Sequence, residues 1–282
     1  MRVRLKRDSL EADIVPDIGG GLAAFRHDGR DMLRAAADNV NDPLALGEFP
    51  MAPYVNRIAH GQFRWRNETI VLPRNFGDHR HPLHGVGWRS AWNCTRLSEH
   101  AARLSLAHAA DAAWPWRVTM TRDIALLRDG LEITLAVTND DTRPMPASIG
   151  LHPYFSATGA VLRLAARAQV LTTDDGIPTG SAHTAAIEAL ARGVHVGDIA
   201  LDHCFDGWDG RAEIMWPDRA LRIETAPAQR FVQIYTPTGA DFFCVEPQSA
   251  MPDAIGREGS GVVELAPGET LAFTTRFYVT DK

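Results

Sequence analysis

Short runs rich in Val, Ile, Leu, Thr and aromatic residues alternate along the chain with Gly, Pro, Asn and Asp, a strand-and-turn pattern rather than a helical one. Two hairpins stand out. Residues 61–65 and 69–72 flank the turn Arg66-Asn67-Glu68, and residues 116–127 face 131–138 across Arg128-Asp129-Gly130. Further strands are expected at 211–216, 220–225, 230–235, 241–246 and 271–279, the last placing Leu271, Phe273, Thr275, Phe277 and Val279 on one face. Only 183–192 has helical composition, and its run of Ala fits a surface loop equally well. So many strands and so little helix imply an all-β fold, a large antiparallel β-sandwich in which each sheet buries one face. No repeat or composition break marks a linker, so residues 1–282 are read as a single domain.

Composition narrows the function. With 282 residues and 45% hydrophobic content, the chain can bury a large core. Its net charge is -6 with the charges scattered, which argues against a nucleic-acid partner. The basic N-terminus is followed by no apolar signal region, and no apolar stretch is long enough to span a membrane, so a cytoplasmic protein is expected. Cys94, Cys204 and Cys244 are too few and too far apart for a disulfide framework. They read as free, buried thiols.

Four polar clusters sit where strands are expected to end. The first is Asn56-Arg57, whose bland reading is a turn plus a surface charge and whose functional reading is a fork of hydrogen-bonding groups for a polar ligand. The second is His79-Arg80-His81-Pro82-Leu83-His84-Gly85-Val86-Gly87. Its H-x-H-x-x-H spacing invites a metal. However, Leu83 stands where a metallo-hydrolase motif has Asp, and Gly85, Val86 and Gly87 stand where a cupin needs a carboxylate, so no metal is assigned. Gly85 and Gly87 would instead allow an unusual backbone around His84.

The third cluster is Gly150-Leu151-His152-Pro153-Tyr154-Phe155, and the fourth places Glu246 after Phe242, Phe243, Cys244 and Val245. A Glu in such company is costly unless paired or used. One Glu and two histidines make an acid-base kit that titrates near neutrality. The chain has no G-x-S-x-G elbow, G-x-G-x-x-G or Walker loop, so acyl, hydride and phosphoryl transfer lack their usual machinery.

Taken in order, the segments Asn-Arg-Ile at 56–58, Leu-His-Gly-Val-Gly at 83–87, His-Pro-Tyr-Phe at 152–155, Leu-Asp-His at 201–203, Val-Gln-Ile-Tyr-Thr at 232–236 and Val-Glu-Pro at 245–247 resemble the aldose 1-epimerase (galactose mutarotase) family. The resemblance implies a galactose mutarotase-like β-sandwich that interconverts sugar anomers without a cofactor. It further implies Glu246 as general base, His152 as general acid and His84 as a second histidine near the ring oxygen. Asn56, Arg57, Asp202 and Gln233 match positions that hydrogen-bond sugar hydroxyls, so the implied partner is a small monosaccharide. Gly85-Val86-Gly87 departs from the more usual His-Gly-Gly, and the chain is short for a galactose mutarotase. Rival readings are a hexose-6-phosphate epimerase, for which 27 of the 29 basic residues being Arg offers material, a silent sugar-binding domain, and a metal enzyme built on His79, His81 and His84.

Overall fold

The computed structural model describes residues 2–227 and 229–280. Two large antiparallel sheets dominate it. One has eleven strands and runs from the N-terminal strands through Glu48–Met51, Gly150–Ser156, Phe242–Gln248, Phe231–Thr236 and Leu201–Asp206 to the Ala168–Thr172 and Pro178–Ala182 hairpin. The other has nine strands and includes Ala101–His108, Val118–Leu126, Gly130–Asn139 and Thr270–Thr280 side by side.

Between the sheets lies a continuous core. Leu151, Phe155, Val232, Ile234, Phe243 and Val245 of the larger sheet share it with Met120, Ile133, Leu135, Ile223, Phe273 and Phe277 of the smaller. The nine-stranded sheet shows the alternation expected of a sheet with one wet face: Val118–Leu126 alternates buried and half-buried without a break. Arg122 interrupts this apolar interior. It lies fully buried between the sheets and donates from one Nη to both carboxylate oxygens of Glu48, at 2.8 and 2.6 Å, and from the other to the Gly20 carbonyl. Removing either partner would strand a buried charge.

Both expected hairpins form. Gln62–Trp65 pairs with Glu68–Val71, so Glu68 joins a strand instead of the turn, and Val118–Leu126 pairs with Gly130–Asn139. The 183–192 segment resolves as a helix, Ala185–Arg192, because Ile187 and Leu190 fall one turn apart and are both buried. It is the one α-helix among the described residues. Among the described residues no helix is long and apolar enough to cross a membrane.

The main departure from the sequence pattern concerns strand ends. His152 and Glu246 sit inside strands, third in Gly150–Ser156 and fifth in Phe242–Gln248, both of which are almost wholly buried. The central strands of the larger sheet are covered on both faces. Leu151 and Phe155, with Phe243 and Val245, face the inter-sheet core, while His152, Tyr154, Cys244 and Glu246 take the opposite face.

Candidate active site

That opposite face carries a cavity of about 340 Å³. Asn56, Arg57, His84, His152, Asp202, Gln233 and Glu246 all line it, although they come from six separate stretches of chain. Sheet register explains part of the convergence. Gln233 is paired directly with Glu246 and Asp202 with Tyr235, so three neighbouring strands deliver their polar side chains to one surface.

On the floor, His152 Nε2 lies 3.3 Å from Glu246 Oε1. The imidazole is held between Phe49, at 4.5 Å and 29°, and Tyr154, at 4.7 Å and 23°. This stacking fixes the ring plane and keeps Nε2 aimed at the carboxylate. His84 stands perpendicular to His152 with centroids 5.4 Å apart, and its own ring meets Trp88 edge-on. The backbone beneath His84 is unusual. His84 and Gly85 both have positive φ, 58° and 72°, and a Cβ on Gly85 would fall 2.2 Å from the Ala52 carbonyl oxygen. Only Gly fits there. The same carbonyl accepts from Val86 and Gly87, at 3.0 Å each, which locks the loop that presents His84.

One wall is a hydrogen-bonded chain of side chains. Asn56 Nδ2 donates to Gln233 Oε1 at 3.3 Å, Gln233 Nε2 donates to Asp202 Oδ1 at 2.6 Å, and Arg57 Nη2 reaches Asp202 Oδ2 at 3.5 Å. Arg57 Nε is buried without a protein partner. Such a row presents both donors and acceptors to the cavity. The turn of the Ala168–Thr172 and Pro178–Ala182 hairpin closes over Arg57. Gly176 there has φ 81°, and a Cβ on it would fall 1.3 Å from Arg57 Nη1. Asp175, next in the chain, is held by His81 Nε2 at 3.3 Å, while His81 Nδ1 accepts from the His60 backbone N–H at 2.9 Å. That pair of bonds fixes the His81 tautomer, with the proton on Nε2.

His81 is therefore a fully buried brace, and His79, His81 and His84 do not converge on a point. Among the described residues, the set able to surround a metal ion is His152, Cys244 and Glu246, whose ligand atoms lie within 4.8 Å of one another. Burial, followed by the charge of Glu246, pushes the Cys244 thiol well above its ordinary range, which opposes the thiolate that metal binding needs. Arg34, Leu44 and Phe76 are lining residues that no sequence motif singled out.

Burial favours neutral forms throughout. Glu246 is raised well above the usual carboxylate range by burial first and by Asp202 second, with Arg57 opposing. His152 is lowered to about 3, again by burial and then by the charge of Arg34. His84 is lowered well below its ordinary value by burial, His152 and Arg57. The two shifts together favour a pair that carries a single proton, shared over a 3.3 Å contact.

The stability consequence has a definite sign. Because the folded state holds the Glu246 proton more tightly than the unfolded chain, its contribution is neutral below about the ordinary value of 4.5 and becomes a growing penalty as pH rises above it. Glu246→Gln is therefore expected to melt higher than the wild type at pH 8, with the gap closing toward pH 4.5. Thermal melts across that range check it, and equal melting temperatures at both ends would contradict the role of burial.

A family model described as aldose 1-epimerase matches residues 1–278 of the chain. The uncharacterized protein YphB of Escherichia coli (strain K12) is 30% identical over 282 residues, covering 94% of each chain. The uncharacterized protein YihR of the same strain is 25% identical, with 89% of this chain and 85% of that one covered. Among solved structures, a putative aldose 1-epimerase from Escherichia coli K12 superposes with a TM-score of 0.92 at 26% identity, covering 100% of this chain and 99% of that one. A galactose mutarotase-like protein from Clostridium acetobutylicum gives 0.90 at 20% identity, with 100% and 95% covered.

Proposed function

Because the chain belongs to the aldose 1-epimerase family, we propose that it interconverts the α and β anomers of an aldose, with Glu246 and His152 moving the protons. The observation that carries this reading is the 3.3 Å contact between His152 Nε2 and Glu246 Oε1 in a cavity that Asn56, Arg57, Asp202 and Gln233 also line.

A cyclic aldose needs little help to change anomer. Its anomeric hydroxyl must lose a proton while its ring oxygen gains one. In the reactive microstate the shared proton is on His152, leaving Glu246 as carboxylate. Glu246 takes the proton of the anomeric hydroxyl, the O1 electron pair forms the C1 carbonyl, the C1–ring-oxygen bond breaks, and His152 Nε2 protonates the departing oxygen. Rotation about C1–C2 presents the other face of the aldehyde. Closure then runs the two transfers backward and restores both residues. Arg57, Asp202, Gln233 and Asn56 hold the hydroxyls, and His84 stands beside His152 near the ring oxygen. These contacts are made to ground and transition states alike, so they govern affinity more than turnover.

Polarimetry of freshly dissolved α-glucose, α-galactose and a pentose tests the reading, and acceleration over the spontaneous rate is the expected result. Binding without acceleration would instead favour a silent sugar-binding domain. EDTA is expected to leave the rate unchanged. A stoichiometric metal on His152, Cys244 and Glu246, with activity lost on its removal, would overturn this mechanism.

Gly176→Ala tests the binding wall. The new methyl must displace the Arg57 guanidinium, so KM should rise by about tenfold with kcat largely kept, the loss of one charge-assisted hydrogen bond. An unchanged KM would show that Arg57 does not touch the sugar.

A further inference from the structure

Arg34 lines the same cavity from a loop that carries none of the family-like motifs. Its backbone N–H donates to the Tyr154 carbonyl at 2.8 Å. Its guanidinium lies over the Tyr154 ring at 4.0 Å from the centroid and near Phe242 at 4.9 Å. Nη2 is fixed by the carbonyls of Leu44 and Leu46. The remaining edge, Nε and Nη1, makes no hydrogen bond among the described residues. Asp241 attracts the charge through space, but no ion pair forms with it. Burial holds the Arg34 pKa below its ordinary value, and among the described residues this partly desolvated cation forms no ion pair. A flat, anchored guanidinium that lines a cavity and keeps one donor edge unbonded is suited to bind an oxyanion.

Its position says which part of a sugar would carry that anion. Arg34, Tyr154 and His152 form one stack, with Tyr154 between the guanidinium and the imidazole. Arg34 is also the charge that acts on His152, whereas Glu246 responds to Asp202 and Arg57. Arg34 therefore marks the His152 end of the pocket. In the acid-base reading, on which this inference rests, His152 serves the ring oxygen, and the ring carbon next to that oxygen bears the exocyclic carbon of a hexose.

We propose that the substrate is an acidic aldose whose exocyclic C6 group carries an oxyanion, and that Arg34 is the residue that binds it. A carboxylate and a phosphate share this chemistry, and the choice of probes separates them. The neutral wall of Asn56 and Gln233 and the Arg57–Asp202 pair then hold the ring hydroxyls, so Arg34 decides selectivity between acidic and neutral sugars.

Anomer interconversion and calorimetric binding would be measured on the whole protein with glucose, glucuronate and glucose 6-phosphate. At least one acidic sugar is expected to exceed glucose in kcat/KM and in affinity by about tenfold or more. Whether glucuronate or glucose 6-phosphate is preferred identifies the anion. Arg34→Gln should bring the ratio to within about threefold of unity, and Arg34→Lys, which keeps the charge, should retain part of it. Glucose matching both acidic sugars in the wild type, or a preference that survives Arg34→Gln, would overturn the proposal. Failure of all three sugars to be turned over would remove the mutarotase reading alone. Calorimetry would then still decide the anion site, since tighter binding of an acidic sugar supports it and equal binding rejects it.

Discussion

Glu246→Gln is expected to fold, to bind sugar with KM within about threefold of the wild type, and to lose about 10²- to 10⁴-fold in kcat, the usual worth of a general base. Glutamine keeps the shape of the side chain and can still hydrogen-bond a hydroxyl, but it cannot take a proton. The loss should be large because Glu246 is 2% exposed and its basicity is raised by burial, as a base working near neutrality requires. Anomer exchange followed by NMR gives both constants. Turnover near the wild-type rate would leave His84 and His152 to carry both transfers.

His152→Asn is expected to cost a similar factor, about 10²- to 10⁴-fold in kcat, because Asn can hydrogen-bond the ring oxygen but cannot protonate it. The pH profile adds a second signature. Burial raises Glu246 and lowers His152, so kcat is expected to be level between the two titrations. It should fall on the acid side only well below 6.5, in keeping with a His152 lowered to about 3, and on the alkaline side as the pair loses its shared proton. A kcat for His152→Asn within about threefold of the wild type, under about 1 kcal/mol of barrier, would make His152 a packing residue between Phe49 and Tyr154.

Strand positions are legible in this chain because side chains of period two lie between strong turn formers, and the Val118–Leu126 and Gly130–Asn139 hairpin follows its sequence pattern almost residue for residue. The site is legible for a different reason. Its residues sit in short ordered motifs, and all seven singled out from them line one cavity. What sequence misreads is depth. The run Phe242 to Val245 looks like an apolar strand ending at Glu246, yet the strand continues to Gln248, since the central strands are covered on both faces and alternation no longer separates inside from outside.

Cys244 reads as a small buried hydrophobe and is fully buried, but it shares the face of Glu246. The histidine-rich loop divides in a way spacing cannot reveal, His84 into the cavity and His81 into a brace against Asp175. Arg34 and Gly176 carry no local signal at all. Their places depend on contacts with Tyr154, Leu44 and Arg57 from distant parts of the chain.

Ring opening is tested most directly by running the reaction in water enriched in oxygen-18 and following both anomer exchange and label at C1. Breaking the bond between C1 and the ring oxygen leaves the anomeric oxygen attached to C1 throughout. Enzyme-accelerated interconversion with no uptake of label above the enzyme-free background is therefore the predicted result. Label entering C1 in step with each interconversion would mean that the anomeric oxygen departs and water replaces it, and would contradict Glu246 as the base on that oxygen and His152 as the acid on the ring oxygen.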